Sequence, residues 1–422
     1  MLRPKSDYYL LQHIRPEFAF GHPCEEASRP VGSVRLSPLT RRYGAIDSAC
    51  FPDIQGYLPH VRSSRLGLPI GGAAVNPSSE HLPRKVRVVG LVEETYDARS
   101  VLVEPLADFA HEFGYTPGQF ITVRVPDHGR GAARCYSLSS SPLVDSTLKF
   151  TVKRVHDGHG SNWLCGDLSI GDELEVLPPA GVFTVHSLDQ SVVLVAGGSG
   201  VTPIISIAKT VLFGGTGSVF IVYANRDEKS VIFAAELREL TEKFADRLTV
   251  VHVLESVQGY PTFDGLRDLI APFADRTMYV CGPVPLMDLS RSVFSALGVD
   301  HSRVHVERFV SLSSNPFETA TATVNPSQDG SVGAVSVQVS IDGDQKTVTW
   351  PRSKRLLDAL LDAGIDAPYS CREGACSACV CALTSGKVEL AHNEVLEQQD
   401  IDDGYILACQ AEAVSDDIAI EY

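Results

Sequence analysis

Four cysteines in the last quarter of the chain are spaced as an iron-sulfur cluster requires. Cys371, Cys376 and Cys379 follow the pattern C-x4-C-x2-C, and Cys409 comes after a further 29 residues. This is the plant-type [2Fe-2S] spacing, in which one tight loop supplies three thiolates and a distant strand end supplies the fourth. The loop, YSCREGACSACV, is built from small residues, so backbone N–H groups can approach the sulfides. The chemistry of such a site is the transfer of single electrons.

Other uses of cysteine fit this pattern less well. A structural zinc site more often has two C-x2-C pairs or a Cys/His mixture, and a disulfide framework would not be concentrated in one small loop. Cys381 follows Cys379 by two residues, but four ligands are already assigned, so it is predicted to be a bystander. The ten cysteines fit a reducing compartment, and the cytoplasm is the expected location.

A second group of residues, in the segment RCYSLSS, could hold a flavin. On a strand, Arg134 and Tyr136 would lie on one face and Ser137 on the other. Arg134 could bind a phosphate, Tyr136 could lie against the ring system, and the Ser137 hydroxyl or N–H could reach a ring nitrogen. Arg and Tyr alternating on a solvated sheet would explain the motif equally well.

The segment GHGSNWL, which begins at Gly158, shifts the balance toward the flavin. It places two glycines and Ser161 at a predicted helix start, where free N–H groups and the helix dipole favour a pyrophosphate. Ser161 could also be a simple N-cap, and one role does not exclude the other.

A third group follows two predicted buried strands. In VLVAGGSGVTP, a strand leads into Gly197, Gly198 and Gly200, with Pro203 at the predicted first helical position. Pro replaces the third glycine of the dinucleotide fingerprint, so an ordinary Rossmann dehydrogenase is not predicted, although the turn still lets backbone approach a pyrophosphate. In YVCGP, Cys281 would point toward the crevice of a nicotinamide, or would simply be a small buried residue.

Three patterns of residue types along the sequence indicate the elements that position these groups. Short β-rich segments predict an antiparallel β-barrel in a domain of residues 85–188. Residues 189–310 alternate strands with helices, which predicts an α/β domain with a doubly wound parallel sheet. Residues 311–330, rich in Ser, Thr, Asn and Pro, are predicted to be a linker. Two strands, a short helix, the cysteine loop and two more strands predict a small α+β domain at residues 331–422.

Length and composition allow about three domains and exclude some classes of protein. The 422 residues are 44% hydrophobic and 21% charged, as in ordinary globular proteins. No apolar stretch of about 18 residues and no export signal is found, so no membrane span is predicted. The net charge of −16 argues against a nucleic-acid partner. Residues 1–84 hold ten of the 25 prolines and are expected to form an irregular extension.

The acidic charge is concentrated around the cysteine motif. Residues 334–422 contain 16 Asp and Glu against 6 Lys and Arg, a net charge of −10. Runs at Glu394–Asp403 and Glu412–Glu421 stand out. These runs could form a solvated surface, or they could steer a basic protein partner toward the cluster.

Taken in order, the motifs resemble a known family. RCYSLSS, GHGSNWL, AGGSGVTP and YVCGP, in front of a plant-type ferredoxin segment, resemble the ferredoxin-NADP reductase superfamily with a fused C-terminal ferredoxin domain. The resemblance covers about Lys85 to Tyr422 and implies an FAD-binding barrel, an NAD(P)H-binding α/β domain and a β-grasp ferredoxin domain. CREGACSACVCAL, HNEVL and GYILACQA are most similar to the reductase components of 3-ketosteroid 9α-hydroxylase and phenylacetyl-CoA epoxidase systems.

The resemblance also implies roles for individual residues. Arg134 would bind the flavin phosphate, Tyr136 would stack on the ring, and Ser137 would contact the reactive flavin nitrogen. The two-part motif favours FAD over FMN. Four further groups are implied: a pyrophosphate loop of Gly160, Ser161 and Asn162; a nicotinamide-nucleotide motif of Gly198, Gly200, Val201 and Thr202; Cys281 and Gly282 beside the nicotinamide; and the pair Glu307 and Phe309 near the flavin. Ser137, Cys281 and Glu307 are the candidate catalytic residues.

Electron counting predicts the order of the steps. A nicotinamide gives up two electrons as a hydride, a [2Fe-2S] cluster accepts one, and a flavin can convert between them. We therefore expect an NAD(P)H-dependent enzyme that passes electrons through FAD and the cluster to an external acceptor. No 2-His-1-carboxylate or Rieske pattern for oxygen activation is recognisable. The expected partner is a separate oxygenase acting on a steroid or another hydrophobic or aromatic substrate.

Two choices stay open in the sequence. Arg226 could meet the 2′-phosphate of NADPH, but Asp227 and Glu228 would repel it, and the enzymes that the chain resembles suggest NADH. The chain could also be a stand-alone flavin or quinone reductase, or a redox-sensing module that binds a regulator.

Overall fold

The computed structural model describes residues 83–126, 132–313, 315–317, 333–341 and 343–422. The predicted N-terminal extension and most of the predicted linker lie outside these ranges. None of the helices in the described part of the chain is both long and apolar enough to cross a membrane.

The first part is an antiparallel barrel of six strands. Their bounds are β1 Arg84–Thr95, β2 Ala98–Pro105, β3 Phe120–Val125, β4 Ala132–Ser137, β5 Leu148–Lys153 and β6 Glu173–Ala180. The order is β4-β3-β6-β1-β2-β5, and a bridge between Leu138 and Phe150 joins the two edge strands. Alternation fills the interior, because Val86 and Val88 of β1 point inward while Lys85 points out. Helix α1, His159–Gly166, follows β5.

The second part is a parallel sheet covered on both faces. Its elements are β7 Val192–Gly197, α2 Val201–Gly214, β8 Val219–Asn225, α3 Ala234–Lys243, β9 Leu248–Leu254, α4 Glu255–Gln258, α5 Phe263–Ile270, β10 Thr277–Cys281, α6 Val284–Ala296 and β11 Val304–Glu307. The strand order is β11-β10-β7-β8-β9, with one apolar core on each face. The order reverses between β7 and β10, where doubly wound sheets open a crevice at the carboxyl ends of the strands.

The helices that cover this sheet differ from the helices predicted from the sequence in two places. Helix α2 begins at Val201, after a 3-10 turn at Gly198–Gly200, so Pro203 is its third residue and not its first. The sequence interpretation missed α5, because this helix has only 8 residues and contains Gly265. The side chain of Thr262 accepts the Gly265 N–H as an N-cap, and this Thr was the available signal.

The third part is a small α+β domain. Its elements are β12 Ala334–Ile341, β13 Asp344–Pro351, α7 Leu356–Asp362, β14 Val380–Ser385, β15 Val388–Leu390, α8 Gln398–Asp402, β16 Tyr405–Leu407, β17 Ala411–Ala413 and β18 Asp417–Glu421. The main sheet has the order β13-β12-β18-β14-β16, and β15 pairs with β17. The prediction of two strands after the cysteine loop is wrong, since the described residues form five. Three of them span only 3 residues, too few to show a period.

The architecture predicted from the sequence is confirmed, whereas its exact domain borders remain predictions. The described residues belong to one compact unit. The barrel and the parallel sheet meet through a charge cluster, defined as Asp145, Lys149, Lys209 and Glu236. Lys209 lies 2.6 Å from Asp145 and 2.5 Å from Glu236, which also pairs with Lys149 at 2.9 Å. The Lys209 side chain is only 5% exposed, so this cluster fixes helix α2 against the barrel.

The α+β domain touches the other two parts at separate places. Glu397, at the start of α8, pairs with Arg291 of α6 and with Arg308, the latter at 3.0 Å. Asp400 lies 3.1 Å from the His301 ring. Two acidic residues of the run 394–403 therefore hold domains together, so neither a solvated surface nor partner steering accounts for the whole run.

Candidate active site and cluster site

One cavity of about 300 Å³ lies where the barrel and the parallel sheet meet. Its walls come from β4, β5, the start of α1, the turn after β7 and the segment after β11. The lining residues are Arg134, Cys135, Tyr136, Ser137, Thr151, Lys153, Val155, Gly158, His159, Gly160, Ser161, Ser199, Thr202, Phe309, Val310 and Ser311. The RCYS and GHGS motifs and part of the GGSGVT motif therefore meet in one space.

Strand β4 presents its two faces to different neighbours. Tyr136 stacks on Phe150 of the barrel interior, with ring centroids 5.5 Å apart. The Arg134 guanidinium donates to the carbonyl oxygens of Ala133, at 2.7 Å, and Leu312, at 3.3 Å. On the opposite face, Cys135 packs toward the cysteine loop. The predicted alternation of Arg134 and Tyr136 on one face is what the strand shows.

The Ser137 hydroxyl is buried in the wall of the cavity. Its oxygen has no hydrogen-bond partner among the residues that the structure describes. A buried hydroxyl left without a partner costs free energy, so such groups normally serve a ligand or an ordered water. The cavity therefore fits a ligand that offers a polar ring atom beside Ser137, as a flavin does.

The start of helix α1 forms a cradle for an anion. Gly158 is the N-cap and makes no side-chain capping bond, and the first helical residues after it, through Ser161, line the cavity. A Cβ on Gly160 would lie 3.0 Å from Val125, so a side chain would crowd the cradle. These features fit a pyrophosphate.

Two residues of the same motif brace the cradle. Ser161 is the third helical residue, so the interpretation of Ser161 as an N-cap is wrong. Its Oγ accepts the Val155 N–H at 3.1 Å and donates to the Gly158 carbonyl at 3.2 Å. The Asn162 side-chain amide donates to the Val155 carbonyl at 3.2 Å and to the Gly158 carbonyl at 2.8 Å. Asn162 itself does not line the cavity.

The glycines after β7 are explained first by packing. A Cβ on Gly200 would lie 2.1 Å from the Cys281 carbonyl oxygen, and one on Gly197 would lie 2.6 Å from Pro283. Gly282 has a positive φ of 155° and approaches the Gly197 backbone. The turns after β7 and β10 can therefore touch. Gly198, with φ of 52°, stands clear of this contact.

Thr202 is the member of this motif whose side chain is placed at the cavity. It lines the wall together with Ser199. Its hydroxyl donates to the Ser199 carbonyl at 3.0 Å, which stabilises the turn at the start of α2.

Cys281 and Glu307 pair in register at the ends of β10 and β11. Burial raises the pKa of Glu307 to about 8, so its carboxyl is predominantly neutral at pH 7. Burial, together with Glu307, raises the pKa of the Cys281 thiol. Cys281 belongs to the apolar core of the parallel sheet and does not line the cavity, which corrects the crevice-facing thiol expected from the sequence. Alternation along β10 turns Tyr279 and Cys281 into that core.

A second, much smaller cavity of about 20 Å³ lies behind the first. Ser137 and Phe309 line both cavities, while Glu307 and Cys376 line only the smaller one. Phe309 is 49% exposed. The wall of the large cavity is thus separated from a predicted cluster ligand by one small gap.

The four cysteines of the predicted cluster converge in the folded chain, and none is more than 7% exposed. Cys371 lies within hydrogen-bond reach of Cys376 and Cys409, and Cys409 lies within reach of Cys379. The N–H groups of Glu373 and Cys371 donate to the sulfurs of Cys371 and Cys376, both at 3.4 Å. These thiol and backbone donors lower the pKa of Cys371, while the hydrogen bonds to neighbouring thiols and burial raise the pKa of Cys376 and Cys409.

The arrangement suits a two-iron cluster better than a single ion. Within the described ranges, no three His, Cys, Asp or Glu side chains surround one point as ligands of one metal ion would. Each iron of a [2Fe-2S] cluster takes two protein ligands, so four thiolates are shared between two centres. The donor set, four buried cysteines with amide donors to sulfur, fits the cluster.

The cysteine loop is shaped by two residues in the left-handed region. Arg372 has φ of 59° and Gly374 has φ of 78°. A Cβ on Gly374 would lie 2.7 Å from the His392 carbonyl oxygen. The loop therefore requires glycine here, and its turns direct amide groups toward sulfur.

The loop packs directly on the barrel. The contact is an apolar cluster with members from both sides: Phe120, Ala133, Leu177 and Ala180 from the barrel, and Cys371, Ala375, Cys376 and Ala378 from the loop. No local pattern in the sequence indicates this contact, because its two sides are more than 190 residues apart.

A polar contact lies within this interface. The hydroxyl oxygens of Thr122 in β3 and Ser370 are 2.5 Å apart, and Thr122 is also 3.4 Å from the Cys135 sulfur. Thr122 and Ser370 are 1% and 2% exposed. Sequence reasoning missed all three side chains, and adjacency of Ser370 to Cys371 was the only available signal.

The side chains after β8 are already engaged. Arg226 donates to the Tyr96 hydroxyl at 2.6 Å and to Asp97 at 2.8 Å. Asp227 accepts the Ser230 N–H at 2.9 Å as a cap.

Lys153 was also missed by sequence reasoning. It lines the large cavity and lies 3.9 Å from Asp97.

Three family models match this chain, and together they span most of the described residues. An oxidoreductase FAD-binding domain matches residues 97–185, an oxidoreductase NAD-binding domain matches 194–292, and a 2Fe-2S iron-sulfur cluster binding domain matches 339–414.

Several curated proteins are similar over nearly their whole length. The ferredoxin reductase component of 3-ketosteroid-9-alpha-monooxygenase from Rhodococcus rhodochrous is 50% identical over 336 residues, covering 79% of this chain and 95% of that protein. The protein of the same name from Mycolicibacterium smegmatis is 49% identical, covering 80% and 96%. One polypeptide of the 1,2-phenylacetyl-CoA epoxidase from Escherichia coli is 30% identical, covering 79% and 96%.

A solved structure shares the fold. The intact type IV self-sufficient cytochrome P-450 monooxygenase has a TM-score of 0.51 and 24% identity, covering 80% of this chain and 41% of that one.

Proposed function

Since this chain belongs to the family of the 3-ketosteroid-9-alpha-monooxygenase ferredoxin reductase components, we propose that it delivers electrons from NADH to a separate oxygenase. It is an oxidoreductase that joins FAD-binding, NAD-binding and [2Fe-2S] domains in one chain.

One observation carries the proposal. The wall of the large cavity, at Cys135 and Ser137, also lines the small cavity that reaches Cys376. A stand-alone flavin reductase would not need a cluster ligand at the back of its flavin site. The shared wall gives electrons a short route from one cofactor to the other.

When bound, FAD would supply the conversion between a two-electron hydride donor and one-electron chemistry, and a [2Fe-2S] cluster would supply a one-electron relay. The protein binds, orients and shields them.

For the flavin, we assign Arg134 to a phosphate, Tyr136 to the ring face and Ser137 to a polar ring atom. Their place in the cavity wall supports this assignment. The cradle at Gly160 suits the pyrophosphate, while Ser161 and Asn162 hold that cradle in shape.

For the nicotinamide, the site lies at the crevice between β7 and β10. Gly198 and Thr202 are assigned to direct contact, because Gly198 is free of the packing contact and Thr202 lines the cavity. Gly200 and Gly282 act by letting the two turns meet. Phe309, half exposed at the cavity edge, is assigned to cover the flavin ring.

Glu307 and Cys281 would act from behind the ring. Glu307 lines the small cavity beside Ser137, and burial keeps its proton near neutral pH, so it can hold or return a proton there. Cys281 is assigned a supporting role, since its thiol is packed in the core beside Glu307.

NADH is proposed as the donor in preference to NADPH. Arg226 is the cation that could meet a 2′-phosphate, but Tyr96 and Asp97 hold it. The carboxylate of Asp97 would also repel a phosphate placed beside Arg226. We expect a higher kcat/KM for NADH, and a preference for NADPH in steady-state assays would contradict the proposal.

The proposed partner is an oxygenase that acts on a 3-ketosteroid or a comparable hydrophobic substrate. The names of the relatives that are 50% and 49% identical support this choice. A relative named for epoxidation of a CoA ester is 30% identical, which makes such a substrate the second candidate. We propose a cytoplasmic location, because none of the eight cysteines among the described residues forms a disulfide.

An anaerobic titration of the purified protein with NADH tests this function. Flavin and cluster absorbance should bleach in sequence at substoichiometric NADH. Bleaching of the flavin alone would contradict the proposal and would favour the stand-alone reductase.

A cluster-ligand variant sharpens the test. Cys376→Ser should abolish reduction of a protein acceptor and retain reduction of ferricyanide, which can take electrons from the flavin. The matched control is Cys381→Ser, a buried cysteine outside the ligand set. Equal loss of both activities in Cys376→Ser would contradict the assigned electron route.

A further inference from the structure

The interface between barrel and cysteine loop is mostly apolar. Its cluster combines small side chains, among them Ala133, Ala375 and Ala378, with the larger Phe120 and Leu177. Burial of apolar surface is non-directional and does not by itself set one register. An interface of this kind needs a directional contact to fix where the loop sits.

The Thr122–Ser370 hydroxyl pair is that directional contact. The two oxygens are 2.5 Å apart, and 248 residues separate them in sequence. Both side chains are buried to within 2% exposure, so the hydrogen bond is protected from water. Cys135 lies 3.4 Å from the Thr122 hydroxyl and gives the pair a third member.

The pair connects the two redox sites over very few bonds. Ser370 immediately precedes the ligand Cys371. Thr122 pairs in register with Cys135, which precedes Tyr136 and Ser137 in the cavity wall. A displacement of the pair would therefore change the distance between flavin site and cluster directly.

We propose that Thr122 and Ser370 are positioning residues for electron transfer from the flavin to the cluster. This inference rests on the proposed function, since it assigns the contact that sets one of its steps. Neither side chain has to touch a cofactor for this role. The hydroxyl pair holds the cluster loop against the flavin wall, and electron transfer falls steeply when that distance grows.

The test is anaerobic stopped-flow reduction of the holoenzyme by NADH, with flavin and cluster absorbance followed separately. Thr122→Val removes the hydroxyl and keeps the shape of the side chain. We expect cluster reduction to slow about tenfold, since misplacement of reacting groups by a fraction of an ångström has effects of this size. Flavin reduction should keep its wild-type rate.

Matched variants isolate the hydroxyl. Thr122→Ser should restore the rate of cluster reduction, and Ser370→Ala should reproduce the defect. Thr347→Val, the same change at an exposed position of β13, should behave as wild type. The spectrum of the chemically reduced cluster should be unchanged in every variant.

A second measurement needs no turnover. In a double-mutant cycle of thermal unfolding, Thr122→Val combined with Ser370→Ala should lower Tm by less than the sum of the single effects. Additive shifts, or wild-type cluster reduction in Thr122→Val, would overturn the inference. Loss of the cluster spectrum in Thr122→Val would also overturn it, because the residue would then be needed for assembly. A wild-type protein that reduces its flavin but not its cluster would instead refute the proposed function.

Discussion

At the scale of single residues, the large cavity is distinguished by the buried Ser137 hydroxyl, which forms no hydrogen bond within the described residues. Neighbouring buried serines are satisfied, since Ser139 donates to the Lys149 carbonyl and contacts Thr151. Ser137, two positions earlier in the same segment, has no partner within the described ranges. The contrast supports the proposal that Ser137 serves a ligand, whereas the hydroxyl of Ser139 serves the barrel.

Removal of the Ser137 hydroxyl should slow the first step of the reaction. In Ser137→Ala we expect flavin reduction by NADH to fall about tenfold or more, as one hydrogen bond made to the reacting group is lost. FAD content, measured by absorbance, should remain that of wild type because Arg134 and the cradle are intact.

Ser139→Ala is the matched control for this prediction. It should lower stability through its lost barrel hydrogen bonds while keeping the rate of flavin reduction. Wild-type reduction in Ser137→Ala would show that its hydroxyl has no part in the step.

Residue types and their spacing were enough to predict several of the motifs that the structure brings together at the site. RCYS, GHGS and the four cysteines could be predicted because each motif is local in sequence. Thr122 and Ser370 could not, since an isolated Thr or Ser has many uses and only folding brings these two together. Cys281 was misplaced for a related reason, because strand alternation, and not residue type, decides where its thiol points.

At the scale of elements, the edge strand β11 contains an unusual imidazole. His305 stacks on Tyr279 with centroids 4.7 Å apart and lies 5.8 Å from the His186 ring. Burial lowers the pKa of His305 to about 4, and the charges of His186 and His301 act in the same direction.

The lowered pKa of His305 predicts a loss of stability in mild acid. In the unfolded chain His305 binds a proton below about pH 6.5, whereas in the folded chain it binds one only below about pH 4. The free energy of unfolding therefore falls as the pH falls through this window. The loss should reach about 2 kcal/mol at pH 5. His305→Phe, which keeps the stacking, should remove this part of the loss.

Denaturant unfolding at pH 5 and pH 8 measures this effect. His156→Phe serves as the control, because the His156 side chain is 95% exposed and should leave the difference between the two pH values unchanged. An equally steep acid loss in His305→Phe and wild type would contradict the prediction.

Long periodic elements could be predicted from the sequence, and so could the short helix α7, but several other short elements could not. The strands of the parallel sheet are continuous apolar runs, as β7 and β8 show. Helix α5 contains Gly265, and the three-residue strands after the cysteine loop are too short to show a period. Tertiary packing, and not local preference, stabilises such elements.

At the scale of the whole molecule, the ionic contacts between the three parts differ in how far they are buried. The charge cluster around Lys209 is largely buried between barrel and parallel sheet. The pairs of Glu397 with Arg291 and Arg308 lie between parallel sheet and α+β domain, with the arginine side chains 34% and 30% exposed.

Loss of the Lys209 charge should weaken the first junction. Lys209→Met leaves Asp145 without this partner, and the two carboxylates are 29% and 25% exposed, so we expect a loss of about 2 kcal/mol in unfolding free energy. Urea unfolding followed by far-UV circular dichroism measures it. Lys229→Met, at an exposed position, should be neutral, and equal stability of both variants would contradict the prediction.

The net negative charge of the chain did not show which acidic side chains form ion pairs and which remain unpaired at the surface. Glu412 pairs with Arg355, and Asp416 pairs with Arg352, so parts of the second acidic run are also matched within the domain. Net charge is a sum over positions, whereas steering depends on the carboxylates left unmatched at the surface.

The covered cysteine loop also bears on an unwanted reaction. Cys371, Ala375, Cys376 and Ala378 are each at most 7% exposed, because the barrel lies over them. An electron held on a cluster here would be shielded from dissolved dioxygen, which would otherwise take it up as superoxide. The docked loop would thus limit the loss of reducing equivalents to oxygen as well as hold the cluster near the flavin site.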